Sequence, residues 1–394
     1  MSHTTNRPIR ALLLSTLAMA ASFIIWNMLS PLAGQIKELY QLTGFQASAL
    51  VAAPVLLGSV MRIPMGIYTD RFGGRRVFAL TMLFLVVPLV AASFATSYMG
   101  LLLCALFIGM GGSTFAISLT YVSRWFPPQK QGFVLGLAGL GNLGVAAASY
   151  GVPVLHAQAG LPGTFRLLAI MIGVMAIGFW FLAKDLPRPS TVKTFKQSMS
   201  VLRVRSTWLL SMYYSLTFGG FVAFSVYLPT LLKEQFALSA TEAGLRTAVF
   251  VLLATLIRPL GGLWADRIGS RRVLAVVFVG IAISALLMAF SLEQIPLLTA
   301  GCLMGAAFLG IGNGAVFKMV PEVSPQDTGA VTGIVGAAGG LGGFFPPLLL
   351  GFIHDASGSY VLGFILLTAF AVVCFGFNQW TKRPGIEKRA AHAV

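Results

Sequence analysis

Apolar stretches of about 20 residues recur from one end of this 394-residue chain to the other, and a ~30 Å hydrocarbon core needs a helix of about that length. Twelve are legible, at roughly 11–33, 46–69, 76–95, 99–124, 131–155, 164–183, 207–232, 243–265, 273–291, 296–320, 327–353 and 360–380. The hydrophobic fraction is 57% and charged residues are 10%, too apolar a balance for a soluble domain of this size to bury. The stretches are rich in Gly, Leu, Ala and Phe and do not alternate, which favours helices over a barrel. The expected fold is an all-α membrane protein with twelve transmembrane helices in two six-helix, pseudo-symmetric bundles. Arg7 and Arg10 precede the first stretch, but its length and the lack of a small-residue cleavage site read as a retained helix.

The net charge of +16 does not point to nucleic acid, because it is distributed by side. On the twelve-helix reading, 21 of the 27 Lys and Arg lie at the N-terminus, in the even-to-odd loops or in the tail. Only Lys37, Arg166, Lys233 and Arg246 lie on the other side. This bias puts both termini in the cytoplasm, with the lipid bilayer as the partner surface. Cys104, Cys302 and Cys374 lie apart in apolar segments and read as buried residues, not as disulfides or metal ligands.

The chain repeats at half its length. Arg62 and Arg258, 196 residues apart, both lie inside apolar stretches, each eight residues before the Asp of a basic loop. The loops are Asp70–Arg76 (DRFGGRR) and Asp266–Arg272 (DRIGSRR). Pro128–Gly132 (PQKQG) and Pro325–Gly329 (PQDTG) repeat with an offset of 197, and Gly136 and Gly139 stand opposite Gly333 and Gly336. A parallel six-plus-six repeat with a site at midplane is expected. The domains read as 1–183, a cytoplasmic linker at 184–206 with a short surface helix near 191–205, and 207–394.

An arginine near the bilayer centre costs about 2.5–3.5 kcal/mol on insertion scales. None of the 11 acidic residues falls mid-helix on this reading, and no histidine does, so neither arginine has an evident partner. A buried charge needs compensation, and a bound anion supplies it. The planar guanidinium fork suits a small planar oxyanion. The fifth and eleventh segments are dense in glycine, which lets helices approach closely. Asn142 adds an amide donor in the fifth. In the tenth, Asn313 and Lys318 are the polar residues, and Lys318 lies where it can snorkel or serve a gate.

Gly66–Arg76 (GIYTDRFGGRR) and Gly262–Arg272 (GLWADRIGSRR) resemble the loop signature of the major facilitator superfamily. That resemblance covers essentially the whole chain and implies gating and structural roles for Asp70, Arg71, Arg75, Asp266, Arg267 and Arg271. Ala138–Gly144 (AGLGNLG) and Gly336–Gly343 (GAAGGLGG) resemble the two signature segments of the nitrate/nitrite porter family, with Tyr214–Gly219 (YSLTFG) and Gly112–Phe115 (GSTF) as further likenesses. It implies that Arg62 and Arg258 clamp the substrate, that Tyr214 donates a hydroxyl, that Phe115 and Phe218 sandwich a flat anion, and that Asn142, Gly139 and Gly339 line the site. The implied protein is a monomeric nitrate/nitrite carrier of a bacterial inner membrane. It works by exchange or by proton symport, without a cofactor and without covalent chemistry. A porter for formate, oxalate or bicarbonate is the alternative. A drug exporter would need a membrane carboxylate, and a sensor an output domain; the sequence has neither.

Overall fold

The computed structural model describes residues 6–186, 197, 199–323, 325, 327–357 and 359–380. The chain starts with α1 (Asn6–Asn27) and a short α2 (Ala33–Leu39), followed by α3 (Gly44–Phe72), α4 (Gly74–Ala92), α5 (Tyr98–Ile108) and α6 (Met110–Ser123). Next come α7 (Gln131–Ala138) and α8 (Leu143–Leu182), joined by a 3₁₀ turn at Gly139–Asn142. The second half holds α9 (Arg205–Phe236), α10 (Ala240–Leu256), α11 (Arg258–Ile268), α12 (Ser270–Ala289), α13 (Ile295–Val323), α14 (Thr328–Ser357) and α15 (Val361–Trp380).

Among the described residues, eleven helical stretches are long and apolar enough to cross a membrane. One of them, Pro128–Leu182, runs for 55 residues. As one straight helix it would exceed 80 Å, roughly, more than twice the hydrocarbon thickness. It is broken at Gly160, where φ is 65° and ψ 178°. It therefore crosses twice, and the crossings number twelve. Large apolar side chains face outward around the molecule, Leu80, Val87, Phe181 and Phe290 among them, as a bilayer solvent allows.

Local sequence explains where helices start and bend. Thr43 and Gln46 form a reciprocal capping box at the start of α3, and Ser239 and Glu242 do the same for α10. Single glycines turn α3 into α4 and α11 into α12: Gly73 has φ 90° and Gly269 φ 89°, a region few other residues occupy. These turns are 196 residues apart, matching the sequence repeat.

Several crossings depart locally from regular α-helix. The fourth is irregular at Gly109 and the fifth tightens into 3₁₀ geometry at Gly139–Asn142. The eighth is irregular at Ile257, one residue before Arg258, with its dihedrals still helical. The last of these has a clear cause: Pro259 lacks an N–H and its ring crowds the carbonyl four residues back.

The two most extensive helix contacts between the first six crossings and the last six are α3 with α14 and α7 with α11. α3 meets α14 where Gly66 opposes Gly329 and Gly333, and α7 meets α11 where Gly132 opposes Gly262 and Gly136 opposes Pro259. A Cβ on any of these glycines would run into the facing backbone. The expected surface helix near 191–205 lies partly outside the described residues; its described part includes a 3₁₀ turn, Met199–Arg203.

Candidate functional site

Arg62 of α3 and Arg258 of α11 lie deep in the protein, 0% and 1% exposed. Arg62 donates from Nε to the Gly112 carbonyl of α6 (3.1 Å) and from Nη1 to the Gly336 carbonyl of α14 (2.7 Å). Its Nη2 has no partner. Arg258 donates from Nη2 to the Tyr214 hydroxyl (3.3 Å), while its Nε and Nη1 have no partner. No ion pair to either arginine occurs among the described residues.

Aromatic rings enclose the pair. The Arg62 guanidinium carbon lies 4.9 Å from the ring centres of both Phe115 and Phe218. That of Arg258 lies 5.3 Å from Phe115 and 5.8 Å from Phe317. Phe115 is thus shared by both cations. Tyr214 stacks on Phe218 at 4.9 Å and 7°, and Phe317 meets both Tyr214 and Phe115 edge-on. A cation over an aromatic face gains about 2 kcal/mol or more when desolvated, which offsets part of the lost hydration.

The expected sandwich is not formed in this arrangement. Phe115 and Phe218 have ring centres 5.6 Å apart and an interplanar angle of 31°. Two faces with a flat ion between them need about 7 Å, twice a van der Waals contact. Here the rings cover the guanidinium groups and pack on each other.

The other expected positions fall as follows. Gly139 backs directly onto the Arg258 side chain, and Gly339 onto the Tyr214 ring. Gly336, the repeat partner of Gly139, approaches Arg62. Each arginine is therefore flanked by a glycine helix from the other half. Asn142 is 2% exposed with Oδ1 unpartnered. Residues three apart in a 3₁₀ turn eclipse, so Asn142 stands on the Gly139 side of the turn, above Arg258. Phe317 and the Gly112 and Gly336 carbonyls were missed. Phe317 carried no signal among 30 phenylalanines; Gly336 was signalled by the 197-residue offset.

At the basic end, two aspartates tie the halves together. Asp70 accepts from the Gly329 backbone N–H (2.7 Å) at the start of α14, and its other oxygen pairs with Arg124 at 2.6 Å. Asp266 accepts from the N–H groups of Gly132 (3.2 Å) and Phe133 (2.9 Å) at the start of α7, and pairs with Lys318 at 3.1 Å. Each carboxylate thus caps a helix N-terminus across the repeat, where the helix dipole favours negative charge.

The basic partners differ from those expected. Arg71, Arg75 and Arg267 make no hydrogen bond to the opposite half among the described residues. Arg75 donates to the Trp180 carbonyl at 2.7 Å and lies over that ring, within its own half. Arg71 lies over Phe72, and the Arg271 carbonyl accepts from Asn378. Lys318 does not snorkel: its ammonium also donates to the Pro128 carbonyl at 2.6 Å, so it bridges the halves. Among the described residues, no group of three His, Cys, Asp or Glu could hold a metal ion.

A family model described as Major Facilitator Superfamily matches residues 15–239 and 210–392. The chain is 39% identical to a nitrite extrusion protein of Bacillus subtilis, over 95% of each chain. It is 36% identical to a probable nitrate transporter, NarT, of Staphylococcus epidermidis, over 93% of this chain and 95% of that one. The crystal structure of the human organic anion transporter MFSD10 superposes with a TM-score of 0.77 at 17% identity, covering 94% of this chain and 99% of that one. At that identity the likeness shows the fold alone.

Proposed function

Because this chain belongs to the major facilitator superfamily, among its nitrate/nitrite porters, we propose that it is a nitrate/nitrite transporter in which Arg62 and Arg258 hold the anion. It is a multi-pass membrane carrier, with no covalent step to perform. One observation carries the clamp: two buried guanidinium groups leave three nitrogens unpartnered inside an aromatic box, with no carboxylate among the described residues to neutralise them. An oxyanion supplies the charge and the acceptors together. Tyr214 already accepts from Arg258, which leaves its own proton free for the anion.

In this reading residues 1–183 and 207–394 rock about the site as two bundles, joined by the cytoplasmic linker 184–206. The basic end faces the cytoplasm of a bacterial cell. The Asp70 and Asp266 caps hold that end shut, and release of both lets it open while the outer end closes. The buried arginines correspond to a state sealed from water. Aromatic rings now resting on the guanidinium groups must shift for the anion to enter between them.

The test is counterflow in vesicles carrying the purified protein. Labelled nitrate should enter vesicles loaded with nitrate or nitrite, and unlabelled nitrite should compete. Competition by formate or bicarbonate at equal concentration, with none by nitrite, would move the assignment to another small anion.

A further inference from the structure

α13 carries a second carboxamide, Asn313, which neither the arginine pair nor the gate uses. Asn313 is 2% exposed, and its Oδ1 is buried without a hydrogen-bond partner. An orphaned amide in a protein interior is expensive. Its direction can be read from its neighbours, since successive helical residues turn by about 100°. On one side, Gly310 packs on the Ala254 carbonyl and Ile257, and Gly314 on the Arg258 carbonyl and the Gly262 nitrogen. On the other side, Gly312 packs on Thr217 of α9 and Val277 of α12. Asn313 therefore projects between α9 and α11, at the depth of Arg258. Phe317, one turn on and on the same face, lies over the Arg258 guanidinium at 5.8 Å.

The first half supplies a counterpart. Asn142 stands on the Gly139 side of its 3₁₀ turn, and Gly139 touches the Arg258 side chain. Arg258 keeps Nε and Nη1 unpartnered. A carboxamide from each half thus brackets the arginine, each with one unpartnered buried atom. The two amide ends of an asparagine are interchangeable by a half-turn, so either position can present N–H donors.

We infer that Asn313 is an anion-contacting residue that sets selectivity for a three-oxygen over a two-oxygen anion. The inference rests on the proposed anion site at Arg62 and Arg258. The chemistry is a count of acceptors. The unpartnered Arg62 Nη2 and Arg258 Nε and Nη1, together with the Tyr214 hydroxyl, engage two oxygens, which is all that nitrite has. Nitrate has a third, and burying it without a donor is unfavourable. A carboxamide on the wall beside Arg258 meets that third oxygen.

The experiment compares wild type with Asn313→Leu, a near-isostere without donors, and Asn313→Gln, which restores the amide. Nitrate and nitrite half-saturation are read by counterflow, and unfolding temperature is read without anion. Expected for Asn313→Leu is a rise of about tenfold or more in nitrate half-saturation, the scale of one hydrogen bond to a charged group. Nitrite should change by much less, unfolding temperature should not fall, and Asn313→Gln should recover part of the nitrate affinity. Equal losses for both anions, or unchanged nitrate, overturn the inference. If Asn313→Leu does not yield folded carrier, Asn313→Ala, which also lacks donors, gives the same comparison. Arg258→Lys runs alongside. Loss there with an unaffected Asn313→Leu removes only Asn313, whereas normal nitrate transport in Arg258→Lys removes the site on which it rests.

Discussion

A guanidinium that keeps free N–H groups out of water is poised for an acceptor, and its geometry matters as much as its charge. Lysine in place of Arg62 or Arg258 keeps the charge and loses the planar fork. Losing two charge-assisted hydrogen bonds of about 1.5 kcal/mol each weakens nitrate binding by roughly a hundredfold. Titration of the purified variants checks this. Asn142→Ala removes one neutral donor and should cost about tenfold or somewhat more. Gly139→Ala makes a sharper steric case, because its Cβ would overlap the Arg258 side chain. That variant should fold yet bind nitrate poorly, and near-normal affinity in it would mean that Arg258 is free to move aside. The two arginines were legible in the sequence because a charge in an apolar run has few bland explanations. Phe317 was not, because helical packing alone brings one phenylalanine of many to the site. The spacing of Phe115 and Phe218 was not legible for a related reason: residue types name the walls, while the spacing between walls belongs to the conformational state.

At the scale of elements, the proposed gate is a pair of crossed helix caps. Asp70 caps α14 and Asp266 caps α7, each with a cation beside it. A lost cap costs about 0.5–2 kcal/mol, enough to shift a closed–open balance several-fold to about thirtyfold. The reporter is a cysteine at Ala330, fully buried beside Gly329 at the closed end. Its alkylation should speed up by about tenfold in Asp70→Asn, and an unchanged rate would remove the cap from the gate. Lys318→Met should act in the same direction by freeing Pro128 and Asp266. The aspartates were readable from the duplicated loops, but their partners were not. Arg124 and Lys318 sit on the fourth and tenth crossings, far in sequence from the loops, and only the packing of helices brings them there. The resemblance to the superfamily loop signature implied gating roles for the loop arginines; in this arrangement Arg75 turns back onto Trp180 of its own half.

For the whole molecule, the twelve crossings and their repeat could be read directly, since length and hydropathy set them. The irregularities at Gly109 and Gly139–Asn142 were harder, because glycine in a helix marks close packing as often as a change of helical geometry. The orientation expected from the basic loops is open to direct check. A cysteine at Gln129 should react only from the cytoplasmic side and one at Glu293 only from outside; the reverse pattern would invert the assignment.

Coupling is a property of the whole cycle. Nitrate entering a cell with a negative interior works against about 2.3 kcal/mol per 100 mV, and exchange for internal nitrite cancels that charge. Among the described residues, the buried site holds no carboxylate or histidine to carry a proton, so exchange is the expected mode. Nitrate accumulation in anion-free vesicles under an imposed pH gradient would contradict exchange and indicate symport.

The central claim is that two buried arginines hold nitrate during transport. Its most direct measurement is uptake of labelled nitrate into nitrite-loaded vesicles by wild type, Arg62→Lys and Arg258→Lys, at equal amounts of folded protein. The account predicts saturable uptake by wild type and uptake near the protein-free background in both variants. Near-normal uptake by either variant would contradict it.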